Sequence, residues 1–204
     1  MINKKHILII CEGFEEYEYL TKIISLGVWS NYNIKLINAM SNTSIFSRYQ
    51  YAYNSDNYDL ILIMTDTDRP TYEDFKLLMN KIDNFHDCKD ISNEIVIFGN
   101  PCTMQFILNH FSSETVYLTK SNKKKNSTLI ESLTGIKNYD AHSDQRKILM
   151  DKITIQNYNK MKQNISSCFV EYNKISSTNF LKFINNLESN NYKWIDDINK
   201  KLNN

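Results

Sequence analysis

The 204-residue sequence predicts an α/β protein: a parallel, Rossmann-like sheet with helices on both faces, followed by a mostly helical C-terminal extension. Two patterns carry that expectation. In the first half, short apolar runs of strand length alternate with segments whose apolar residues recur every three or four positions, while beyond about residue 115 only the helical period persists. Charge divides at the same place. Residues 1–114 hold 9 basic and 15 acidic side chains, net −6, and residues 115–204 hold 15 basic and 8 acidic, net +7. The overall charge of +1 hides an acidic half joined to a basic one.

The elements follow in order. His6–Cys11 (HILIIC) is a continuous apolar run of strand length. A helix is expected from Glu15 to Leu26, with Tyr19, Leu20, Ile23 and Ile24 on one face and Gly27 as its stop. Ile34–Ala39 reads as a second strand, and Ile45–Tyr53 as a short helix opened by Ser41, Asn42 or Thr43. Tyr58–Thr65 (YDLILIMT) is a third strand, apolar enough to lie at the sheet centre with both faces covered. Pro70 suits the first turn of the next helix, whose buried stripe is Phe75, Leu78, Met79 and Ile82. Glu94–Phe98 is a fourth strand, and after Gly99-Asn100-Pro101 a helix carries Phe106, Ile107 and His110. Four strand–helix units in succession imply parallel pairing. Later, Val116–Leu118 reads as a short edge strand, Lys120–Ser127 as a lysine-rich loop, and Asp144–Tyr172 and Ser177–Leu202 as mostly helical. The chain thus divides into an α/β domain over 1–118 and a basic, mostly helical extension over 119–204, packed on the core.

Scarcity excludes several functions. The four glycines, at 13, 27, 99 and 135, are never close together, whereas a Walker-A loop or a GxGxxG turn needs clustered glycines to bring backbone N–H groups to phosphate. The cysteines at 11, 88, 102 and 168 form no CxxC pair and the four histidines are scattered, so a zinc site is not expected. The longest apolar run, Leu60–Met64, is far short of the roughly 18–20 residues of a membrane span. Lys4 and Lys5 precede a short strand-like run without a small-residue cleavage site, so the expected location is the cytoplasm, with no membrane partner.

Chemistry is expected where an open parallel sheet places its ligands, at the carboxyl ends of the strands. Strand one ends in Cys11-Glu12-Gly13 and strand three in Thr65-Asp66-Thr67-Asp68. If these strands are neighbours, about 5 Å apart, Glu12, Asp66 and Asp68 share one small volume, and a hard cation such as Mg²⁺ is the usual remedy for such repulsion.

These residues bring the chain to a known pattern. Ile7–Leu20 (ILIICEGFEEYEYL) resembles the glutamate-bearing first motif of Toprim domains, and Met64–Asp68 (MTDTD) resembles their Asp-x-Asp motif. Asn100–Phe111 (NPCTMQFILNHF) is similar to the Asn-Pro-Cys…His-Phe signature of the RloB/AbiLii branch of Toprim proteins. The resemblance covers roughly residues 6–111. It implies a Toprim-like core and metal-dependent chemistry on phosphodiesters: Asp66 and Asp68 coordinating Mg²⁺ or Mn²⁺, and Glu12 as general acid/base or as a further ligand. It also implies a role in phage defence or abortive infection beside a separately encoded ATPase. The family helix usually carries an acid and a Trp where this chain has Met104 and Phe106. A chain of this length has little room for the added domains of a topoisomerase or primase, which leaves a nuclease acting on DNA or RNA.

Around this centre, Arg69, Asn100, His110, Lys123, Lys124 and Lys125 are candidate substrate contacts, each with a plainer structural role open to it. The groups at Tyr17, Tyr19 and Tyr49–Tyr53 offer rings for base stacking, though helix–sheet packing uses the same residues. Cys11 has no histidine paired with it by any motif and reads as a buried thiol. Two other readings stand beside the nuclease. One is a catalytically weak or inactive Toprim module serving as a sensor or scaffold for the ATPase. The other is a phosphatase of haloacid-dehalogenase type, or a nucleotide-sugar transferase, using Asp66-Thr67-Asp68; that motif normally ends the first strand, and here it ends the third.

Overall fold

The computed structural model describes residues 4–67, 72–113, 123–174 and 176–203, with the backbone alone for 123–126. Four parallel strands, β1 (His6–Cys11), β2 (Asn33–Asn38), β3 (Leu60–Asp66) and β4 (Val96–Asn100), stand in the order β2-β1-β3-β4. Strands one and three are therefore neighbours. β1 and β3 occupy the middle of the sheet, and the near-unbroken apolar runs of both are buried, as strands covered on two faces require.

The helices between the strands take opposite sides. On one face, α1 (Phe14–Ser25) and α5 (Met104–Asn109) meet α9 (Phe180–Glu188) through the rings of Tyr19, Phe106 and Phe180. On the other, α2 (Asn42–Asn54) meets α3 (Glu73–Phe85) through Phe46, Tyr49 and Phe85. Gly27, at φ +76°, turns the chain out of α1 as expected, in a conformation that suits a residue without a Cβ. Phe75, Leu78 and Ile82 are buried on α3, while Met79 is only partly so.

Several boundaries differ from expectation. Glu94 belongs to a single helical turn, α4 (Ser92–Ile95), so β4 begins two residues later. Helix α6 (Lys123–Thr134) takes in most of the stretch expected as a lysine-rich loop, whose residues have no strong helix-breaking Gly or Pro. The span expected as helix over Asp144–Tyr172 is two helices, α7 (Ser143–Asp151) and α8 (Ile155–Ile165), with Thr154 capping the second by accepting from the Asn157 N–H. The edge strand expected at Val116–Leu118 lies outside the described residues.

The largest departure concerns the C-terminal part. Ser177–Thr178 form β5, which runs antiparallel along β4. Asn179 extends the ladder with its side chain: its Oδ1 accepts from the Phe98 N–H at 3.0 Å and its Nδ2 donates to the Val96 carbonyl at 2.7 Å. Phe180, Phe183, Ile184 and Leu187 of α9 are fully buried, so the amphipathic face of this helix belongs to the same core as the strands. Helix α10 (Lys193–Leu202) closes the described chain. Among the described residues no helix is long and apolar enough to cross a membrane.

Candidate active site

The carboxyl end of β1 and β3 gathers the acids. The Glu12 N–H donates to the Met64 carbonyl at 2.9 Å, so the chain leaves β1 still tied to β3. Glu12 Oε2 accepts from the Thr65 hydroxyl at 2.5 Å and from the Asp66 N–H at 3.1 Å. Two donors on β3 thus hold one oxygen of a carboxylate that starts on β1.

Asp66 is held from the next strand over. Its Oδ1 accepts from the Thr103 N–H at 2.6 Å and the Thr103 hydroxyl at 2.8 Å, and Thr103 is fully buried just before α5. The turn that brings Thr103 there needs Gly99. A Cβ on Gly99 would lie 2.7 Å from the Phe106 ring and 3.0 Å from the Cys102 backbone. The three segments Glu12-Gly13, Met64–Asp66 and Asn100–Thr103 therefore meet in one place.

Two further acids complete the cluster. Glu16 is buried, and its Oε2 accepts from the Gly13 N–H at 2.9 Å, which closes the start of α1. Glu15 stands beside it in the first turn, where the helix dipole favours negative charge. That help is partial. Burial, then the charges of Glu16, Glu12 and Glu15, raise the Asp66 carboxyl well above the carboxylate range. Burial and then Glu16 push Glu15 up to about 8, with Arg146 pulling the other way. Cys11 is raised by burial and by Glu16, which keeps it a thiol and not a nucleophilic thiolate.

The basic part of the chain borders this cluster. Helix α7 lies along α1, where Arg146 donates from Nε and one terminal nitrogen to the two oxygens of Glu18, at 2.8 and 3.0 Å. Tyr139, on the loop before α7, is buried, and after burial itself the charge of Glu15 does most to raise its hydroxyl pKa.

The remaining expected site residues fall elsewhere. Asn100 is buried at the end of β4, and its Nδ2 donates to the carbonyls of Tyr172 and Lys174 at 2.7 and 2.8 Å, pinning the approach to β5. His110 is 1% exposed. Its Nε2 lies 3.0 Å from the Tyr19 hydroxyl and its Nδ1 3.3 Å from Asn157 Oδ1. The Asn157 oxygen also accepts the Thr154 N–H while its nitrogen donates to the Lys152 carbonyl, so His110 Nδ1 carries the proton and Nε2 accepts from Tyr19. Burial lowers the ring pKa to about 4. Both ring nitrogens are engaged in the core, on the face opposite α2 and α3. Lys123, Lys124 and Lys125 form the start of α6. Asp68 and Arg69 lie outside the described residues.

Sequence reasoning missed Glu16, Thr103 and Tyr139. Glu16 had a signal, since an acid three residues after a helix-opening glycine is the capping position. Thr103 lay within the Asn100–Phe111 motif but had no role read for it, and Tyr139 had no signal, because it reaches the site through a fold-level contact.

Among the described residues, no three His, Cys, Asp or Glu side chains are gathered in metal-holding geometry. The chemistry of the donors nevertheless suits a hard cation. Glu12 and Asp66 offer carboxylate oxygen only, and the Asp66 carboxyl, raised first by burial and then by the neighbouring acids, is one whose ionised form a divalent ion would favour. Compared with known proteins, the chain matches no family model, no curated protein and no solved structure.

Proposed function

We propose that the chain is a metal-dependent nuclease of Toprim type, similar to the RloB/AbiLii branch, hydrolysing phosphodiesters of DNA or RNA with Mg²⁺ or Mn²⁺. The observation that supports it most is the meeting of Glu12, Asp66 and Thr103 at the carboxyl edge of a parallel sheet. These residues come from three segments that separately resemble three Toprim motifs.

Each side chain has a role in that reading. Thr65 and the Asp66 N–H fix Glu12 at Oε2, so the carboxylate is set in one orientation to take a proton from the attacking water. Thr103 orients Asp66 through two donors to Oδ1. Glu12 and Asp66, with Asp68, would hold the ion, which when bound supplies positive charge for a phosphoryl oxygen and lowers the pKa of water. A separately encoded ATPase, and a place in phage defence or abortive infection, belong to the same proposal.

One observation favours a second reading, a catalytically weak Toprim module acting as sensor or scaffold. Met104, where the related helices carry an acid, is buried in the core at the first residue of α5 and supplies no ligand.

Incubation of the purified protein with plasmid, single-stranded DNA and tRNA separates the two. With Mg²⁺ or Mn²⁺, and not with EDTA, the nuclease reading expects cutting that disappears in Glu12→Gln and Asp66→Asn. A folded wild type that binds neither ion would sink it, and one that binds the ion without cutting would favour the scaffold.

A further inference from the structure

The sheet has a second feature that the acids do not use. β2 is its edge strand, and between that edge and α2 runs a groove of about 640 Å³. Lys35 reaches it from β2, with Leu8 and Ile37 among its apolar lining. Ser44, Ser47, Arg48 and Tyr51 reach it from α2, and Ser55 from the residue that ends that helix. The α2 residues are spaced three or four apart, so they form one stripe beside the buried stripe of Ile45, Tyr49 and Ala52.

The chemistry of this stripe is one-sided. No acid occurs between Glu18 and Asp56, in the half of the chain that is otherwise acidic, and the cations of the groove are Lys35 and Arg48. Of its two aromatic residues, Tyr58 lies under Lys35, whose Nζ is 5.9 Å from the ring centroid, and Tyr51 is 81% exposed, although Tyr49 two residues earlier is packed against α3. Cations for phosphates, hydroxyls for their oxygens and a bare ring for a base are the parts of a single-strand platform. One end of the groove approaches the acids: in the β1–β2 register Ile37 pairs with Ile10, two residues before Glu12, while the other end lies at Asn57 and Tyr58, ahead of β3.

We propose that this groove binds a single-stranded stretch of the nucleic-acid substrate, with phosphates on Lys35 and Arg48 and a base stacked on Tyr51, and delivers it to the edge where Glu12 and Asp66 stand. The inference rests on the nuclease reading for its purpose but is tested apart from it, by binding in EDTA.

The probes are fluorescein-labelled 12-mers of oligothymidylate and oligouridylate, read by fluorescence anisotropy between 50 and 200 mM salt. All three positions face solvent, so the variants keep the fold. The Lys35→Ala/Arg48→Ala double variant is expected to weaken binding and to flatten the slope of log K against log salt by about 1.4, for two single-strand phosphates. Tyr51→Ala is expected to lose about 5- to 150-fold in affinity, the range for one stacked base, while Tyr51→Phe retains it. The stronger of the two 12-mers identifies DNA or RNA. The proposal is overturned if wild type binds neither, if the variants bind as wild type does, or if polyglutamate displaces the probe equally from wild type and Tyr51→Ala, which would mark a site for acidic protein. Variant-sensitive binding without any metal-dependent cutting would keep the groove and remove the nuclease. Undiminished cutting in the groove variants would do the reverse.

Discussion

Helix α1 borders two polar clusters, one fully and one partly enclosed, and they are built on opposite principles. Near its middle, Tyr19, His110 and Asn157 form a neutral chain in which each donor meets an acceptor. At its start, Glu12, Glu15, Glu16 and Asp66 bring like charges together, and Asp66 and Glu15 respond with raised carboxyl pKa values. A matched chain stabilises the packing around it. A like-charged cluster costs stability wherever it ionises, and such tension in a protein is concentrated at working sites. The difference separates polar groups that the fold satisfies from acids that it leaves under tension.

The largest effect that sharpens this contrast is on hydrolysis. On the proposed nuclease reading, Asp66→Asn should reduce metal-dependent cleavage by roughly 100- to 1,000-fold, the scale of losing transition-state charge stabilisation. It should leave the melting temperature at pH 8 unchanged or higher, since an amide still accepts from Thr103 and no longer repels Glu16. A large fall in stability with unchanged cleavage would erase the distinction.

The neutral chain should behave in the reverse way under acid. An unfolded histidine titrates near 6.5, whereas His110 in the fold takes its proton only near 4. The unfolded chain therefore binds more protons between those values, and stability falls as the pH drops through that window. The loss attributable to this ring reaches about 3 kcal/mol at pH 4. Denaturant unfolding of wild type and His110→Gln across pH 4–7 checks it, and the variant's curve should be flatter.

A smaller expected effect is Tyr19→Phe, which strips the donor from His110 Nε2 in a buried setting and should cost about 1–2 kcal/mol with no change in cleavage per folded molecule. Smaller still, Mg²⁺ at ten times its dissociation constant should raise the melting temperature of wild type by roughly 3–6 °C and that of Asp66→Asn by less.

What was legible in the sequence followed from pattern strength. The HILIIC and LILIMT runs fixed β1 and β3, and their polar ends marked Glu12 and Asp66 before any coordinates. Glu94 misled because one polar residue beside an apolar run fits the start of a strand as well as the turn of helix that it forms. β5 was invisible: two residues, Ser177 and Thr178, are too short to show an alternation, and their pairing is specified by the Asn179 amide and the open edge of β4. The stacking reading of the tyrosines was undecidable for the same reason. Only the fold separates buried Tyr49 from exposed Tyr51.

The β4–β5 pairing sets a schedule for synthesis. Thr178 donates from its hydroxyl to the carbonyl of Phe98 at 2.7 Å, a bond that joins residues 80 apart. At about 5–20 residues per second, β4 leaves the ribosome roughly 4–16 s before the segment that covers its edge. For that interval the nascent sheet has an uncovered strand of five buried-type residues, Val96–Asn100, ready to pair with another chain. Premature release of the chain between β4 and β5 would therefore yield a sticky fragment, and a translational pause between the two strands would lengthen the exposure.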